Sequence, residues 1–385
     1  MKYIPYSRQD INEDDIKSVV EILRSDFLTT GPAIKQFEES VKDFCGAANA
    51  VAVANGTAAL HVSLMAMGIE KSCLVWTSPL SFVASANCAL YVGADVDFVD
   101  IDIKTGNIDV NKLEEKLKEA EKHGKIPDVV IVVHFSGKAC DMQRVSELAA
   151  EYDFKVIEDA AHALGGRYEN GEHIGCGKYS DATTLSFHPV KSIATGEGGM
   201  ILTDDEKLAK KANMLITHGV TRDKSLMKGQ SDGDWYYQQL HLGYNYRITD
   251  IQSALGISQM NRLDDFIHRR YRIAAVYNDQ LSTLPLILPI LDSKSAWHLY
   301  VVRISDDSDI SRKELFDKLR KAGIGVNVHY IPIYQQPYYR KLGFKSGYCP
   351  MAEKFYQSCV SLPVFPKMTD TEQEYIVDKL KDFLY

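Results

Sequence analysis

One lysine of this sequence stands in a setting suited to covalent chemistry. Lys191 lies in the stretch SFHPVKSIATGEGGM, a few residues after an apolar, β-branched run and just before a glycine-rich turn. Most lysines are solvated at the surface, but a lysine held in a cleft at this place would lose part of its hydration. A desolvated amine has a lowered pKa and can attack a carbonyl to form a Schiff base. The setting therefore favours a Schiff-base lysine at this position.

A carboxylate at the end of another apolar run is suited to controlling a cationic ring. Asp159 closes the run KVIED, and ligands of open α/β sheets bind at the carboxyl ends of the strands. A carboxylate there could pair with a protonated pyridine nitrogen and keep the ring an electron sink. The alternative is a helix N-cap before AAHALGG, and Glu158 should point the opposite way. His162 could lie over the ring, bond a ring hydroxyl or be a satisfied buried histidine.

Two further segments offer an anion site and an aromatic platform. In NGTAAL a predicted strand is followed by Gly56, Thr57 and a helix, where backbone N–H groups and a hydroxyl can bind a phosphate. The same residues could instead be ordinary helix capping. Ser186 could add a second hydroxyl to the anion site. Phe82, after the strand in TSPLSFVAS, could stack on a planar heteroaromatic ring or belong to the core.

Alternating strands and helices must position these residues. Short apolar runs at 51–55, 73–78, 95–101, 128–135, 155–160 and 181–187 read as buried strands, with helical patterns between them. The alternation predicts an α/β fold whose central sheet is mostly parallel, with helices on both faces. A long helical stretch from Thr249 to about Leu281 and a smaller α+β region follow. We expect an N-terminal arm at the substrate site (1–30), a large cofactor-binding domain (31–250) and the connecting helix with a small C-terminal domain (251–385).

Composition narrows the class of protein. With 385 residues, 45% of them hydrophobic and 25% charged, the chain is typical of globular proteins. It has no run of about 18 apolar residues and no apolar h-region near its start, so we expect a cytoplasmic protein with no membrane partner. Seven cysteines without a C-x-x-C pair indicate free thiols rather than disulfides or a metal site. The 44 basic and 52 acidic residues are interspersed, which argues against a nucleic-acid surface.

Together these motifs resemble those of one family. NGTAAL, EDAAHALGG, SFHPVKSIATGEGGM and GYNYRITDIQSALG look like the corresponding motifs of the DegT/DnrJ/EryC1/StrS sugar aminotransferases, in the same order through nearly the whole chain. The resemblance implies an aspartate-aminotransferase-like fold of type I and pyridoxal 5'-phosphate as cofactor. Lys191 would carry the cofactor as a Schiff base, Asp159 would pair with its pyridine nitrogen, and Phe82 would stack on its ring. The phosphate contacts implied are Thr57, Ala58 and Ser186, with Gly56 beside them.

The resemblance also implies a homodimer with shared active sites. Asn245, in GYNYR, matches a position that reaches the phosphate in the neighbouring subunit's site. Arg247 could assist an anionic group of the substrate or form a structural salt bridge.

A finer resemblance concerns the substrate. SFHPVK, HALGG, SPLSFVASANCAL and AGIGVNVHYIPIY look most like the UDP-4-keto-6-deoxy-hexosamine aminotransferases of pseudaminic acid synthesis, whereas most of the family has Gln where this chain has His162. It implies substrate contacts from Tyr6, Phe27, Leu28, Thr29, Thr30, His329 and Tyr330. For His188, beside the lysine, strand-end packing, a substrate contact and proton transfer remain open.

The expected reaction is transfer of an amino group from glutamate to C4 of a UDP-linked 4-keto-6-deoxy-N-acetylhexosamine. A 4-aminotransferase for another nucleotide-linked keto-sugar, of the perosamine or viosamine type, is the first alternative. A related sugar dehydratase would have His in place of Lys191. A nicotinamide-dependent (NAD) oxidoreductase would need a G-x-G-x-x-G after an early strand, which the sequence lacks. A non-catalytic regulator that binds the same cofactor would add a DNA-binding module, and none is visible.

Overall fold

The computed structural model describes residues 3–384 and contains a central sheet of seven strands. Residues 1, 2 and 385, at the ends of the predicted arm and C-terminal domain, lie outside the described residues. The strands are β1 (Asn49–Val53), β2 (Leu74–Thr77), β3 (Asp95–Phe98), β4 (Val129–Val133), β5 (Lys155–Asp159), β6 (Ala182–Ser186) and β7 (Gly199–Thr203). Their order in the sheet is β1-β7-β6-β5-β4-β2-β3, and β7 alone among these seven runs antiparallel to its neighbours. The predicted mostly parallel sheet is confirmed; β7 was not predicted.

The central strand β4, VVIVV, is apolar throughout because both faces of the sheet are covered. In β4, Val130 and Val132 belong to a core on one face of the sheet, whereas Val129 and Ile131 belong to the core on the other. Successive side chains of a strand point to opposite faces, so a strand buried on both sides shows a continuous apolar run instead of alternation. This explains why the six runs could be recognised from sequence.

Helices cover the two faces and end in recognisable caps. On one face lie α2 (Pro32–Cys45), α5 (Val110–Lys122) and α6 (Met142–Tyr152); on the other lie α3 (Gly56–Met67), α4 (Ala84–Tyr91) and α7 (Glu206–Leu215). Helix α1 (Glu13–Leu23) begins with a capping box at Asn12. Side chains of Asn55, Asp109, Asp141 and Asp205 cap α3, α5, α6 and α7 by accepting backbone N–H bonds.

The predicted long helix after Thr249 is wrong at one point, because the chain forms two helices. Helix α8 (Asp250–Met260) ends before Asn261, and α9 (Leu263–Gln280) begins after Arg262, which has the non-helical angles φ −116° and ψ 5°. The Arg262 guanidinium donates to Asp15 Oδ2 at 2.5 Å and to the Asp10 carbonyl oxygen at 3.1 Å. The break coincides with this anchoring to the N-terminal segment, and no Gly or Pro at residues 257–265 marks it in the sequence.

A smaller antiparallel sheet follows the paired helices. It consists of β10 (Leu286–Ile287), β11 (Tyr300–Ile304) and β12 (Cys359–Leu362), after the ribbon of β8 (Val220–Thr221) and β9 (Gln238–Gln239). The remaining helices are α10 (Arg312–Lys321), α11 (Pro337–Lys341), α12 (Pro350–Ser358) and α13 (Asp370–Leu384), with 3-10 turns at Phe135–Gly137 and Ile333–Gln335. Ile4 packs into the same core as β11 and α13. The domain boundaries given above stay predictions. None of the helices within residues 3–384 has the length and apolar character that crossing a membrane requires.

Candidate active site

A cavity of about 820 Å³ opens at the carboxyl ends of β5 and β6, beside the first turn of α3. This is the edge at which open α/β sheets bind ligands. Most of the residues singled out from the sequence line it: Tyr6, Gly56, Thr57, Ala58, Phe82, Asp159, His162, Ser186, His188, Lys191, His329 and Tyr330. The fold therefore brings residues from position 6 to position 330 into one site.

Lys191 projects into this cavity from the loop between β6 and β7. The loop is closed by hydrogen bonds from Phe187 N–H to the Gly198 carbonyl (2.8 Å) and from Thr195 N–H to the Phe187 carbonyl (2.9 Å), and the Lys191 N–H donates to the His188 carbonyl (2.8 Å). Burial lowers the pKa of the Lys191 amine to about 8, although the negative charge of Asp159 opposes the shift. A substantial part of the amine is thus unprotonated near neutral pH, as nucleophilic or base chemistry requires.

Asp159 ends β5 with its carboxylate held on the cavity wall. One oxygen accepts the Ser85 hydroxyl at 2.6 Å, and the other accepts the Ala161 N–H at 3.2 Å. No helix begins here: residues 161–165 form turns, so the helix N-cap alternative is wrong, as is the expectation that His162 starts a helix. Glu158 points the opposite way, as predicted, into a buried cluster in which four side chains bond it: His134, Tyr168, Ser180 and Thr183.

His162 is a satisfied buried histidine that also faces the cavity. The Ser136 N–H donates to its Nδ1 at 3.3 Å, so the hydrogen-bond network places the imidazole proton on Nε2, 3.1 Å from the Tyr330 hydroxyl. Its ring packs on that of His298, with centroids 4.3 Å apart. Burial, with the nearby charges of Lys191 and His329, lowers the pKa of His162 well below its ordinary value. The imidazole is therefore neutral at physiological pH.

The segment that contains His329 and Tyr330 also lines the cavity. His329 Nδ1 lies 2.8 Å from the Ser361 hydroxyl, and burial together with the Lys191 charge lowers the pKa of His329 to about 3. Burial also raises the pKa of the Tyr330 phenol, which stays protonated. Tyr6 packs against the His329 ring, with centroids 5.6 Å apart. His329 and Tyr330, which line the same cavity as Lys191, are therefore both uncharged at physiological pH.

The first turn of α3 forms an anion cradle from fewer groups than the sequence suggested. Asn55 Oδ1 accepts the Ala58 N–H at 2.8 Å, so that amide is already bound. The N–H groups of Gly56 and Thr57 belong to the first helical turn and have no carbonyl partner within the helix. A Cβ on Gly56 would lie 2.9 Å from the Ser186 Cβ. The glycine lets the helix end approach Ser186, whose hydroxyl lines the same cavity.

Phe82 and His188 lie at more accessible parts of the cavity. The Phe82 side chain is 60% exposed although it precedes a buried helix, so an aromatic face is available to a planar ligand. His188 is exposed as well. A phosphate cradle, an aromatic face, a buried carboxylate and an amine of lowered pKa together fit a phosphorylated pyridine aldehyde. That fit rests on the donor set of this chain alone.

Six of the residues singled out from sequence do not line this cavity: Phe27, Leu28, Thr29, Thr30, Asn245 and Arg247. The Leu28 carbonyl accepts the Asp250 N–H at 3.1 Å, which fixes the first four to the start of α8. Asn245 pairs with Thr217 in an isolated bridge. A role of Asn245 in a neighbouring subunit does not require it to line the cavity of its own chain, and all these roles stay predictions.

Several lining residues were missed from the sequence: His61, Ser81, Ser85, Glu197, Tyr246 and Asn327. Ser85 lies three residues after Phe82 in SPLSFVASANCAL, where a small polar residue looks like an ordinary helix residue. Ser81, Ser85, Glu197, Tyr246 and Asn327 stand in motifs that were examined for other residues. Nothing local marks His61.

Comparison with known proteins places the chain among sugar aminotransferases. The model of the DegT/DnrJ/EryC1/StrS aminotransferase family matches residues 9–381. The spore coat polysaccharide biosynthesis protein SpsC of Bacillus subtilis is 39% identical over 99% of this chain and 97% of its own length. The UDP-4-amino-4,6-dideoxy-N-acetyl-beta-L-altrosamine transaminase of Campylobacter jejuni is 36% identical over 99% of this chain and 97% of its own.

Solved structures agree with the sequence relatives. Helicobacter pylori PseC, described as an aminotransferase involved in the biosynthesis of pseudaminic acid, superimposes with a TM-score of 0.90 at 30% identity, covering 100% of this chain and 99% of PseC. Spr1654 of Streptococcus pneumoniae in its PLP form superimposes equally well, with a TM-score of 0.90 at 30% identity over 99% of this chain and 98% of that one.

Proposed function

This chain belongs to the DegT/DnrJ/EryC1/StrS aminotransferase family, and from that premise we propose that it transfers an amino group from glutamate to C4 of a UDP-linked 4-keto-6-deoxy-N-acetylhexosamine. It is a sugar aminotransferase that depends on pyridoxal 5'-phosphate, as its family is. The proposed substrate is that of the pseudaminic acid pathway. One observation carries the reaction: the Lys191 amine, with its pKa lowered to about 8, lies in the same cavity as Asp159 and the α3 cradle.

The residues of the cavity would hold the cofactor at four places. Lys191 would bind its aldehyde carbon covalently, and Asp159 would pair with its ring nitrogen. The first turn of α3 and the Ser186 hydroxyl would bind the phosphate, and Phe82 would cover the ring. When bound, the cofactor supplies an electron-poor ring that accepts the electron pair left when a proton leaves the amino carbon.

Lys191 would also move the proton. Once the substrate nitrogen has replaced its own, its amine is free, and a pKa near 8 suits it to remove a proton at one carbon and return it at another. We assign this task to the lysine, since burial lowers the pKa of His162 and His329 so far that neither imidazole takes up a second proton at physiological pH. Their hydrogen bonds instead orient Tyr330 and Ser361.

The sugar proposal is supported by where its signature residues lie. His162, His329 and Tyr330, which belong to the motifs that resemble the pseudaminic acid enzymes, line the cavity that contains Lys191, and so does Tyr6, a substrate contact that the resemblance implies. The nucleotide would extend toward Phe27–Thr30 and the Asn245 segment of a second subunit, in a homodimer. Arg247 and His188 would contact anionic groups of the substrate.

A second candidate has its own support. SpsC, named for spore coat polysaccharide synthesis, is 39% identical to this chain, against 36% for the Campylobacter jejuni transaminase. Identity of this kind favours testing a 4-aminotransferase for another nucleotide-linked keto-sugar, of the perosamine or viosamine type. The two candidates differ in the nucleotide and in the substituent at C2 of the sugar, so substrate preference separates them.

The test is an absorbance titration of the purified protein loaded with pyridoxal phosphate. A band near ~420 nm should disappear with glutamate and return when a UDP-4-keto-6-deoxy-N-acetylhexosamine is added. Lys191→Ala protein, titrated in parallel, should show neither change. A band that glutamate bleaches, and that only a GDP- or dTDP-linked keto-sugar restores, would reject the proposed substrate and favour the second candidate. No response to glutamate would reject the donor.

A further inference from the structure

Asp159 is held by a pair of buried hydroxyls that no motif identified. The Ser85 hydroxyl lies 2.6 Å from Asp159 Oδ2, and the Ser81 hydroxyl lies 2.7 Å from that of Ser85. All three residues are buried: Ser85 is 1% exposed, Ser81 is 4% exposed and Asp159 is 6% exposed. Water has little access to this chain of oxygens, so the partners seen within the protein are the ones that decide its polarity.

The direction of both hydrogen bonds follows from the number of protons available. A carboxylate accepts only, so Ser85 must donate its one hydroxyl proton to Asp159. The oxygen of Ser85 can then only accept from Ser81, and Ser81 donates. Both dipoles therefore point their positive ends toward Asp159, and a charge-assisted bond of this kind is about twice as strong as a neutral one.

The same turn of the chain also places Phe82. The Ser85 N–H donates to the Phe82 carbonyl at 3.2 Å, and Ser85 belongs to the first turn of α4, whose N-terminal end carries a partial positive charge. The segment 81–85 thus presents an aromatic face to the cavity on one side and two oriented hydroxyls to Asp159 on the other. Its position fixes both groups together.

We propose that Ser85, supported by Ser81, is the positioning residue that holds the Asp159 carboxylate aimed at the ring nitrogen of the cofactor. The Ala161 N–H holds the other oxygen, so the carboxyl plane is fixed at both ends. A carboxylate that does not rotate has one orientation to offer the ring, and no reorientation is needed when the ring nitrogen is protonated. The proposal rests on the assignment of Asp159 to that nitrogen under the proposed function.

The role of Ser85 can be tested by measuring cofactor affinity, which does not depend on catalytic turnover. The cofactor-free protein is titrated by fluorescence with pyridoxamine phosphate, which binds without a bond to Lys191, and with an analogue in which CH replaces the ring nitrogen. Ser85→Ala should weaken pyridoxamine phosphate binding about tenfold, since it removes a donor to an ion. Ser85→Cys, a weak donor of similar size, should lie between Ser85→Ala and the unaltered protein. Ser81→Ala should weaken binding less than Ser85→Ala does.

The matched control is Ser63→Ala, which removes a buried serine hydroxyl that donates to the Ala59 carbonyl within α3 and does not touch Asp159. It should leave the affinity unchanged. Binding of the analogue should be equal in Ser85→Ala and unaltered protein, because the analogue has no nitrogen to pair. In an Asp159→Ala background, Ser85→Ala should cause no further loss.

The outcomes separate the two claims. If Asp159→Ala weakens pyridoxamine phosphate but Ser85→Ala binds it within twofold of the unaltered protein, the role of Ser85 is refuted. Equal losses for pyridoxamine phosphate and the analogue in Ser85→Ala would mean general damage to the site and would also overturn it. If Asp159→Ala still discriminates between the two ligands as strongly as unaltered protein does, the assignment of Asp159 to the ring nitrogen fails first.

Discussion

The Nε2 atom of His162 lies 3.1 Å from the hydroxyl of Tyr330, 168 residues further along the chain. Because Ser136 N–H occupies Nδ1, the imidazole donates and the phenol oxygen accepts. The hydroxyl proton of Tyr330 is then free to bond an acceptor atom in the cavity. Tyr330 can therefore act as a hydrogen-bond donor. Its raised pKa keeps the phenol protonated at every physiological pH.

Tyr330→Phe should slow the sugar half-reaction. It removes the donor while keeping the ring, and we expect about a tenfold loss in kcat/KM for the keto-sugar, the size of one lost hydrogen bond to a polarised oxygen. Single-turnover absorbance traces for the glutamate and sugar half-reactions measure it. Tyr277→Phe, whose hydroxyl bonds the Pro363 carbonyl outside the cavity, is the control. A sugar half-reaction within twofold of the unaltered rate would contradict the role.

His162→Gln should leave the shape of the pH–rate profile between pH 5.5 and 7.5 unchanged. The pKa of His162 is already far below this range, so the residue does not titrate there. His162→Leu, in contrast, leaves the Ser136 N–H and the Tyr330 oxygen unpaired, at a cost of about 1–3 kcal/mol in unfolding free energy. Chemical denaturation of both variants gives that difference. Loss of the acidic limb of the pH–rate profile in His162→Gln would contradict the prediction, because it would show that His162 titrates in this range.

Incorporation of pyridoxal phosphate into the cofactor-free protein should follow the lowered pKa of Lys191. The neutral amine reacts, so the rate should rise about tenfold per pH unit below 8 and level off above it. Growth of absorbance near ~420 nm between pH 6 and 9.5 gives the profile. Lys191→Ala should show no incorporation, and Lys178→Ala, which alters an exposed lysine paired with Glu172, should match unaltered protein. An incorporation rate that still rises steeply at pH 9.5 would show that the pKa of Lys191 is not lowered.

Gly199→Ala should damage the anion cradle. An added Cβ would lie 2.5 Å from the Asn55 carbonyl oxygen and 2.9 Å from the Gly56 nitrogen, both backbone atoms that cannot move aside. We expect a loss of about 1–3 kcal/mol in stability from this overpacking and a marked loss of phosphate and cofactor affinity. Gly68→Ala is the control: it has no atom within 4 Å of the new Cβ and only the left-handed backbone to strain. Equal cofactor affinity in both variants would exclude the cradle.

Tyr168→Phe should move acid unfolding to higher pH. Burial alone raises the pKa of Glu158, but hydrogen bonds from His134, Ser180 and Tyr168 bring it below its usual value. A carboxyl with a lowered pKa stabilises the fold above its ordinary range near 4.5 and loses that contribution as pH falls through the lowered value. Removing the Tyr168 donor raises that value. Tyr179→Phe, whose hydroxyl bonds only Asn170, should leave the acid midpoint unchanged.

The local sequence was enough to predict a structural element wherever one short segment contains the whole pattern of that element. The strand that ends at Asp159 and the loop that contains Lys191 were both recognised, because a fully buried strand gives a continuous apolar run and a glycine-rich turn follows it. The opposite orientations of Glu158 and Asp159 follow from the two-residue period of a strand. The resemblance of the motifs to those of the family then identified the expected cofactor.

The strand β7 shows where local patterns stop. Its run GMILT is short, follows a glycine-rich stretch and was not predicted as a strand. Parallel neighbours are usually joined through a helix, and the connection from β6 to β7 contains none; β7 runs antiparallel to both β6 and β1. Its place between those strands depends on pairing partners some 150 residues apart, such as Asn49 and Thr203, which no window of sequence contains.

The sequence by itself determined the chemistry-bearing groups: the amine of Lys191, the carboxylate of Asp159, the first turn after Asn55, and through its motifs the family. Only the tertiary structure decided how they are held. The tautomer of His162 depends on a backbone N–H from Ser136, the orientation of the Asp159 carboxylate on the Ser85 hydroxyl, and the lowered pKa of Lys191 on burial. These are properties of surroundings, and surroundings arise from contacts between residues distant in the chain.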